Sequence, residues 1–301
     1  MPDEATLLRS SGTVTHFRPE IRIDDEVTNA EPIAVVEKPL SVFEMIYNDG
    51  FARKLAIIVV LAVIWEIYGR YLDNDLLFPT FTATMTAFIQ GIASGELLAR
   101  AWGSIHVLLI GYAAGILVAA LLTALAMASR IGTDFLETMT AMFSPLPAIA
   151  LLPLALIWFG LGNASLVFVL IHSVTWAIAL NTHSGFRSVS PTLKMVGRNY
   201  GLRGFRYIWK ILIPAAFPSI LTGLKIGWAF AWRTLIAAEL VFGVSSGSGG
   251  LGWFIFENKN MLAIPNVFAG LLTVILIGLA VENLVFRTIE RKTIHRWGTQ
   301  Q

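Results

Sequence analysis

Residues 183–218 read HSGFRSVSPTLKMVGRNYGLRGFRYIWKILIPAAFP. Arg187, Lys194, Arg198, Arg203, Arg206 and Lys210 lie in this loop, between one apolar stretch that ends near His183 and another that begins near Phe217. A basic, helix-forming loop between two hydrophobic segments is a surface segment of a membrane protein, on the side that retains cations.

The whole chain supports that class. It has 301 residues, of which 55% are hydrophobic and 14% charged, and its mean hydropathy is +0.68; soluble proteins carry roughly 25% charged residues. A net charge of +2 says little about partners, because in a membrane protein the placement of charge matters more than its sum. With no cysteine, disulfides and thiolate metal sites are excluded. The first fifty residues lack the apolar core of a cleavable signal peptide.

At about 20 apolar residues per crossing, six spans are expected, near Leu55–Arg70, Ser104–Ala128, Phe135–Phe159, Ser165–His183, Phe217–Phe242 and Val267–Phe286. The loop charges then divide unevenly. Arg53, Lys54, Arg130, the basic residues of the long loop and Arg287, Arg291, Lys292 and Arg296 fall on one side. Arg70, Arg100 and Lys259 fall on the other, so the positive-inside rule places both termini and the 183–218 loop in the cytoplasm. Residues 1–50 form a polar, disordered cytoplasmic extension in this reading, with an amphipathic segment at Leu40–Tyr47 that lies on the membrane surface. The membrane domain is expected over 51–301. Phe81–Leu98 reads as a short external helix, and no internal repeat is evident.

Residues 144–165, SPLPAIALLPLALIWFGLGNAS, place Pro145, Pro147 and Pro153 in a stretch that must otherwise be helical. Proline there kinks the axis and frees carbonyls, so this helix is expected to line or gate a path. In the fifth span, Lys225, Trp228, Trp232 and Glu239 share one stripe at about 100° per residue, with Arg233 to one side. Ionisable groups at that depth are costly and face a cavity or a partner. Two readings follow: the stripe and Arg233 face a translocation pathway, or Lys225 and Glu239 snorkel while Arg233 pairs with Glu66, Glu137 or Glu282. In the fourth span His172, Trp176 and His183 share a stripe, and the eleven-residue histidine spacing fits no compact metal site, so no metal is expected. Gly111–Gly115 and Gly223–Gly227 have the small-xxx-small spacing of close helix pairs, a candidate dimer face.

In the long loop, Gly201 is followed by nine residues and then Ile211-Leu212-Ile213-Pro214. This resembles the EAA loop of ATP-binding-cassette (ABC) importer permeases, with Lys194, Met195, Val196 and Gly197 at and around the acidic-Ala-Ala start, which is not kept. The third-span wording, Gly223-Leu224-Lys225, AWRTLIAAEL (231–240), Gly250-Leu251-Gly252-Trp253 and the ERKTIHRWG tail (290–298) are similar to permeases for nitrate, sulfonates, taurine and bicarbonate. The resemblance implies an all-α, type I importer fold of about six transmembrane helices, in the bacterial inner membrane, carrying a small anionic solute. It further implies a coupling helix within 183–218, around a tight turn at Gly201, that docks on a cytoplasmic ATPase. Its implied partners are two ATPase copies that bind ATP and Mg, an extracytoplasmic substrate-binding protein, a second identical permease and membrane lipid.

The alternatives fare less well on the residues. A secondary transporter or channel needs no ATPase but should show repeated halves. A membrane enzyme needs convergent nucleophiles, carboxylate pairs or metal ligands in the spans. No phosphate-binding G-x-x-x-x-G-K-[ST] loop is present, so ATP hydrolysis is expected in another chain. Nothing points to nucleic acid.

Overall fold

The computed structural model describes residues 50–242 and 249–297. The expectations for residues 1–49, including the amphipathic segment at Leu40–Tyr47, lie outside the described residues. The chain divides into two units, residues 1–54 and 55–301; of the first, only the start of a helix is described.

All regular structure among the described residues is helical. In order the helices are α1 (Gly50–Leu72), α2 (Phe81–Ala93), α3 (Glu96–Ala128), α4 (Arg130–Phe143), α5 (Leu152–Phe159), α6 (Asn163–Ser188), α7 (Pro191–Asn199), α8 (Gly204–Tyr207), α9 (Ile213–Phe242), α10 (Leu251–Asn260), α11 (Ile264–Ala280) and α12 (Arg287–Trp297). Five stretches are long and apolar enough to cross a membrane: Gly50–Leu72, Glu96–Ala128, Asn163–Ser188, Ile208–Val241 and Ile264–Thr293. A sixth is possible only as a bent pair.

That pair corrects the expectation of one helix over Phe135–Phe159. α4 ends at Phe143, and the chain re-enters a helix at Ala148, turned by 88°. Proline pushes the residue before it out of the α region and supplies no N–H. With Pro145 and Pro147 two residues apart, the helix cannot continue, and Pro147 is extended (φ −61°, ψ 120°). Pro153 breaks nothing: it stands in the first turn of α5, where a missing N–H costs little.

α6 is the centre of the bundle, with α3 on one side and α9 on the other. Lipid tails are as apolar as leucine, so spanning helices associate through close packing rather than through burial from water. Glycine provides the closeness here. A Cβ on Gly111 would collide with Leu170, and one on Gly115 with Val174; one on Gly223 would meet Asn181, and one on Gly227 would press on Ile178. Both small-xxx-small pairs are therefore used inside the chain, against α6, and neither is free to form a dimer face. Leu108, Leu170, Val174, Ala179 and Leu235 are wholly enclosed along these seams.

α1 stands apart, with Gly69 its one buried residue. Its last turns are tied to α2 by named bonds: Trp65 Nε1 donates to Pro79 O at 2.9 Å. Glu66, read from sequence as a possible partner of Arg233, instead holds Arg70 at 2.6 Å and accepts from Thr82 N at 3.0 Å. The segment read as a short external helix is α2, capped by Thr80, whose hydroxyl accepts from Ala83 N.

Candidate translocation and coupling sites

The basic loop is more ordered than its composition suggests. α6 runs on to Ser188, and Ser190 then caps α7 by accepting from Leu193 N at 3.3 Å, with Pro191 in the first turn. At the other end Gly201 adopts φ +71°. Its N–H donates to Arg198 O at 2.9 Å, and Leu202 N donates to Gly197 O at 3.1 Å. These paired bonds are the Schellman stop, in which a left-handed residue, normally glycine, ends a helix. The tight turn at Gly201 is not a crowded one: among the described residues the space beside its Cα is open. The glycine answers a backbone demand, not a steric one.

Gly197 is the crowded position. A Cβ there would lie 3.0 Å from Ile211 Cγ1 and from the Tyr207 ring, so α7 rests directly on the segment that leads into α9. That segment is a π turn, Ile208–Leu212, immediately before Pro214. Pro214 cannot donate to Lys210 O and its ring crowds that carbonyl, which a widened turn relieves. Met195, Val196 and Tyr200 stay exposed on α7, at 57%, 41% and 82%. Lys194 is turned inward and donates to Arg187 O at 3.3 Å.

The fifth-span stripe packs against other parts of this chain. Trp232 and Glu239 are buried. Glu239 accepts from Ser104 Oγ at 2.8 and 2.9 Å and from Gly252 N at 2.9 Å, fixing the start of α10 to α3 and α9. Lys225 pairs with Glu290 at 2.8 Å and with Glu282 at 3.7 Å. Trp228 meets Tyr112 edge to face at 5.3 Å. The wheel has the right phase, but the face it marks is turned towards α3, α10 and the C-terminal helices.

The remaining candidates do converge. A cavity of about 440 Å³ opens between the α4–α5 break, α6 and α9, and Pro145, Pro147, His172, Trp176 and Arg233 all line it. Arg233 is exposed there, with its guanidinium carbon 5.7 Å from the Phe230 ring centre. No carboxylate among the described residues pairs with it: Glu137 holds Arg187 at 2.8 Å and Glu282 holds Lys225. Ser173 and Thr234 share a hydrogen bond of 3.2 Å across the α6–α9 seam at its floor. His183, on the same face of α6, is buried and lines a separate polar recess with Arg130 and Glu137.

Phe143 was missed from sequence. It stacks on Trp176 at 5.4 Å with 10° between planes, and meets His172 at 6.1 Å and 83°. Both ring nitrogens of His172 and Nε1 of Trp176 are enclosed without a hydrogen-bond partner. Leaving such groups unpaired costs about 1–3 kcal/mol each. Phe143 takes this position only because the helix breaks directly after it. Among the described residues no three His, Cys, Asp or Glu side chains gather as a metal site.

Comparison with known proteins places this geometry. Residues 111–294 match the family described as "Binding-protein-dependent transport system inner membrane component". A protein of Methanocaldococcus jannaschii assigned as an ABC transporter permease is 32% identical, over 76% of this chain and 86% of that protein. An assigned aliphatic-sulfonates transport permease of Bacillus subtilis is 28% identical, over 90% of this chain and 94% of its own length. The nitrate import permease of a Synechocystis strain is 28% identical, over 83% and 90% respectively.

Proposed function

Because the chain belongs to the family of binding-protein-dependent transport system inner membrane components, as the membrane-spanning permease subunit of an ABC transporter, we propose that it imports a small anionic solute. In this reading two copies form the path, and the cavity between the α4–α5 break, α6 and α9 is one wall of it. The observation that carries the proposal is Arg233, a cation at membrane depth, exposed in that cavity with no carboxylate partner among the described residues. Such a charge is retained where a cavity and a counter-charge in transit offset its cost. The sulfonate and nitrate relatives carry anions by their names, which agrees with the sign.

The same reading puts α7 in the cytoplasm of a cell whose inner membrane holds the protein. There its exposed Met195, Val196 and Tyr200 meet the ATPase that binds ATP and Mg. Two ATPase copies and an external substrate-binding protein complete the assembly. Gly197 carries the push, since α7 bears through it on Tyr207 and Ile211 at the root of α9. Arg233→Ala is expected to slow anion uptake into proteoliposomes several-fold while the melting temperature of the complex is kept. Uptake at the wild-type rate would remove Arg233 from the path.

A further inference from the structure

We propose that His172 and Trp176, together with Arg233, form a seat for the oxyanion head of an organic acid in transit, and that Phe143 is its removable cover. The proposal rests on the permease reading and adds to it a ligand class and a gate.

Three observations meet at one place. The first is the donor set: an unpaired guanidinium, an indole N–H and an imidazole, on neighbouring faces of α6 and α9 around one cavity. A neutral imidazole has one donating nitrogen, so the set offers separate donors to separate oxygens of a sulfonate or carboxylate. The second is the cover. Phe143 lies flat on Trp176 and edge-on to His172, and the enclosed nitrogens have no hydrogen-bond partner among the described residues. Buried polar groups in native proteins are nearly always bonded, so a cluster of orphans marks a place completed in another state. The third is the hinge. Phe143 is the last residue of α4 and the break at 144–147 follows it, so a change in the bend between α4 and α5 reorients this ring.

The walls select the rest of the ligand. Phe230, Ile226, Leu180 and Pro147 surround the donors, and a cavity of about 440 Å³ is in the range that holds an organic molecule. A bare inorganic oxyanion would touch the donors and leave these walls unused. An organic acid with a short apolar body uses both.

The test is isothermal titration of the full chain, purified from membranes with its accompanying subunits, using butane-1-sulfonate, pentanoate and nitrate as probes. Butane-1-sulfonate or pentanoate should bind, and nitrate about 10-fold more weakly or not at all, as loss of the apolar contacts implies. The sulfonate and carboxylate arms show which head the donors prefer. Phe143→Ala should tighten binding of the preferred probe about 3-fold or more, by the removed cost of uncovering the donors. Trp176→Phe keeps the ring but removes its N–H. It should weaken binding about 2- to 10-fold, and in that background the gain from Phe143→Ala should shrink, since only His172 is left to uncover. Phe143→Leu serves if the alanine variant fails to fold. Nitrate binding as tightly as the organic acids overturns the seat. So does a Phe143 effect that is undiminished in Trp176→Phe, or absence of organic-anion binding by a complex that retains its ATPase. Failure of any ATPase to co-purify with the wild-type chain would instead count against the permease reading.

Discussion

Glu239 is a buried carboxylate near the end of α9, held among the described residues by Ser104 and the N–H of Gly252. Its task is mechanical: Ser104 Oγ also accepts from Leu251 N at 2.8 Å, so the two side chains together satisfy the first donors of α10. Glu239→Leu strands the Gly252 N–H and the Ser104 hydroxyl and is expected to cost about 1–3 kcal/mol. Glu239→Gln retains an acceptor and should cost less, the two being compared by thermal unfolding of the solubilised protein. Gly201 presents a different kind of constraint. Its φ of +71° is strained for any L side chain, so Gly201→Ala should cost about 1–2 kcal/mol at the end of α7. The loss should appear as weaker retention of the ATPase on purification, since nothing in this chain crowds the position. Wild-type retention would show that the Schellman stop does not hold the docking helix in place.

At the scale of elements, the decisive feature is the break between α4 and α5. The chain has no cysteine, so a pair introduced at positions 131 and 157 can be spin-labelled uniquely. A straight helix would separate those backbones by about 39 Å, at 1.5 Å per residue. The wild type, bent by 88°, should give a clearly shorter distance. Replacing both Pro145 and Pro147 by Ala should lengthen it, and no lengthening would assign the bend to packing on α6 rather than to proline. Much of this was legible in the sequence. The spans followed from hydropathy, apart from the break in the third; the coupling helix followed from the family resemblance around Gly201; and Pro145, Pro147, His172, Trp176 and Arg233 were each singled out, though not their meeting around one cavity. The facing of the Lys225–Glu239 stripe was not legible. A helical wheel gives which residues share a face, but what that face meets depends on α3 and α10, which contact it from 100 residues earlier and just beyond its own end. Phe143 was hidden for a related reason, because its position follows from a break that hydropathy reads straight through.

For the whole molecule, the path proposed above is shared between two copies, each leaving the cavity lined by Arg233 open. Native mass spectrometry of the solubilised protein should therefore give two permease chains with two ATPase chains, and a stable single copy would count against the shared path. The α4–α5 pair also bears on how the protein is made. At 1.5 Å per residue, the fourteen residues of α4 reach about 21 Å and the eight of α5 about 12 Å, while the hydrocarbon layer is about 30 Å thick. Neither half can be delivered to the bilayer alone. The machinery that inserts a growing chain is therefore expected to take 130–159 as one piece, already interrupted at Pro145 and Pro147. The place of the break is written in the nascent chain, and its angle settles when α6 emerges to receive the two halves.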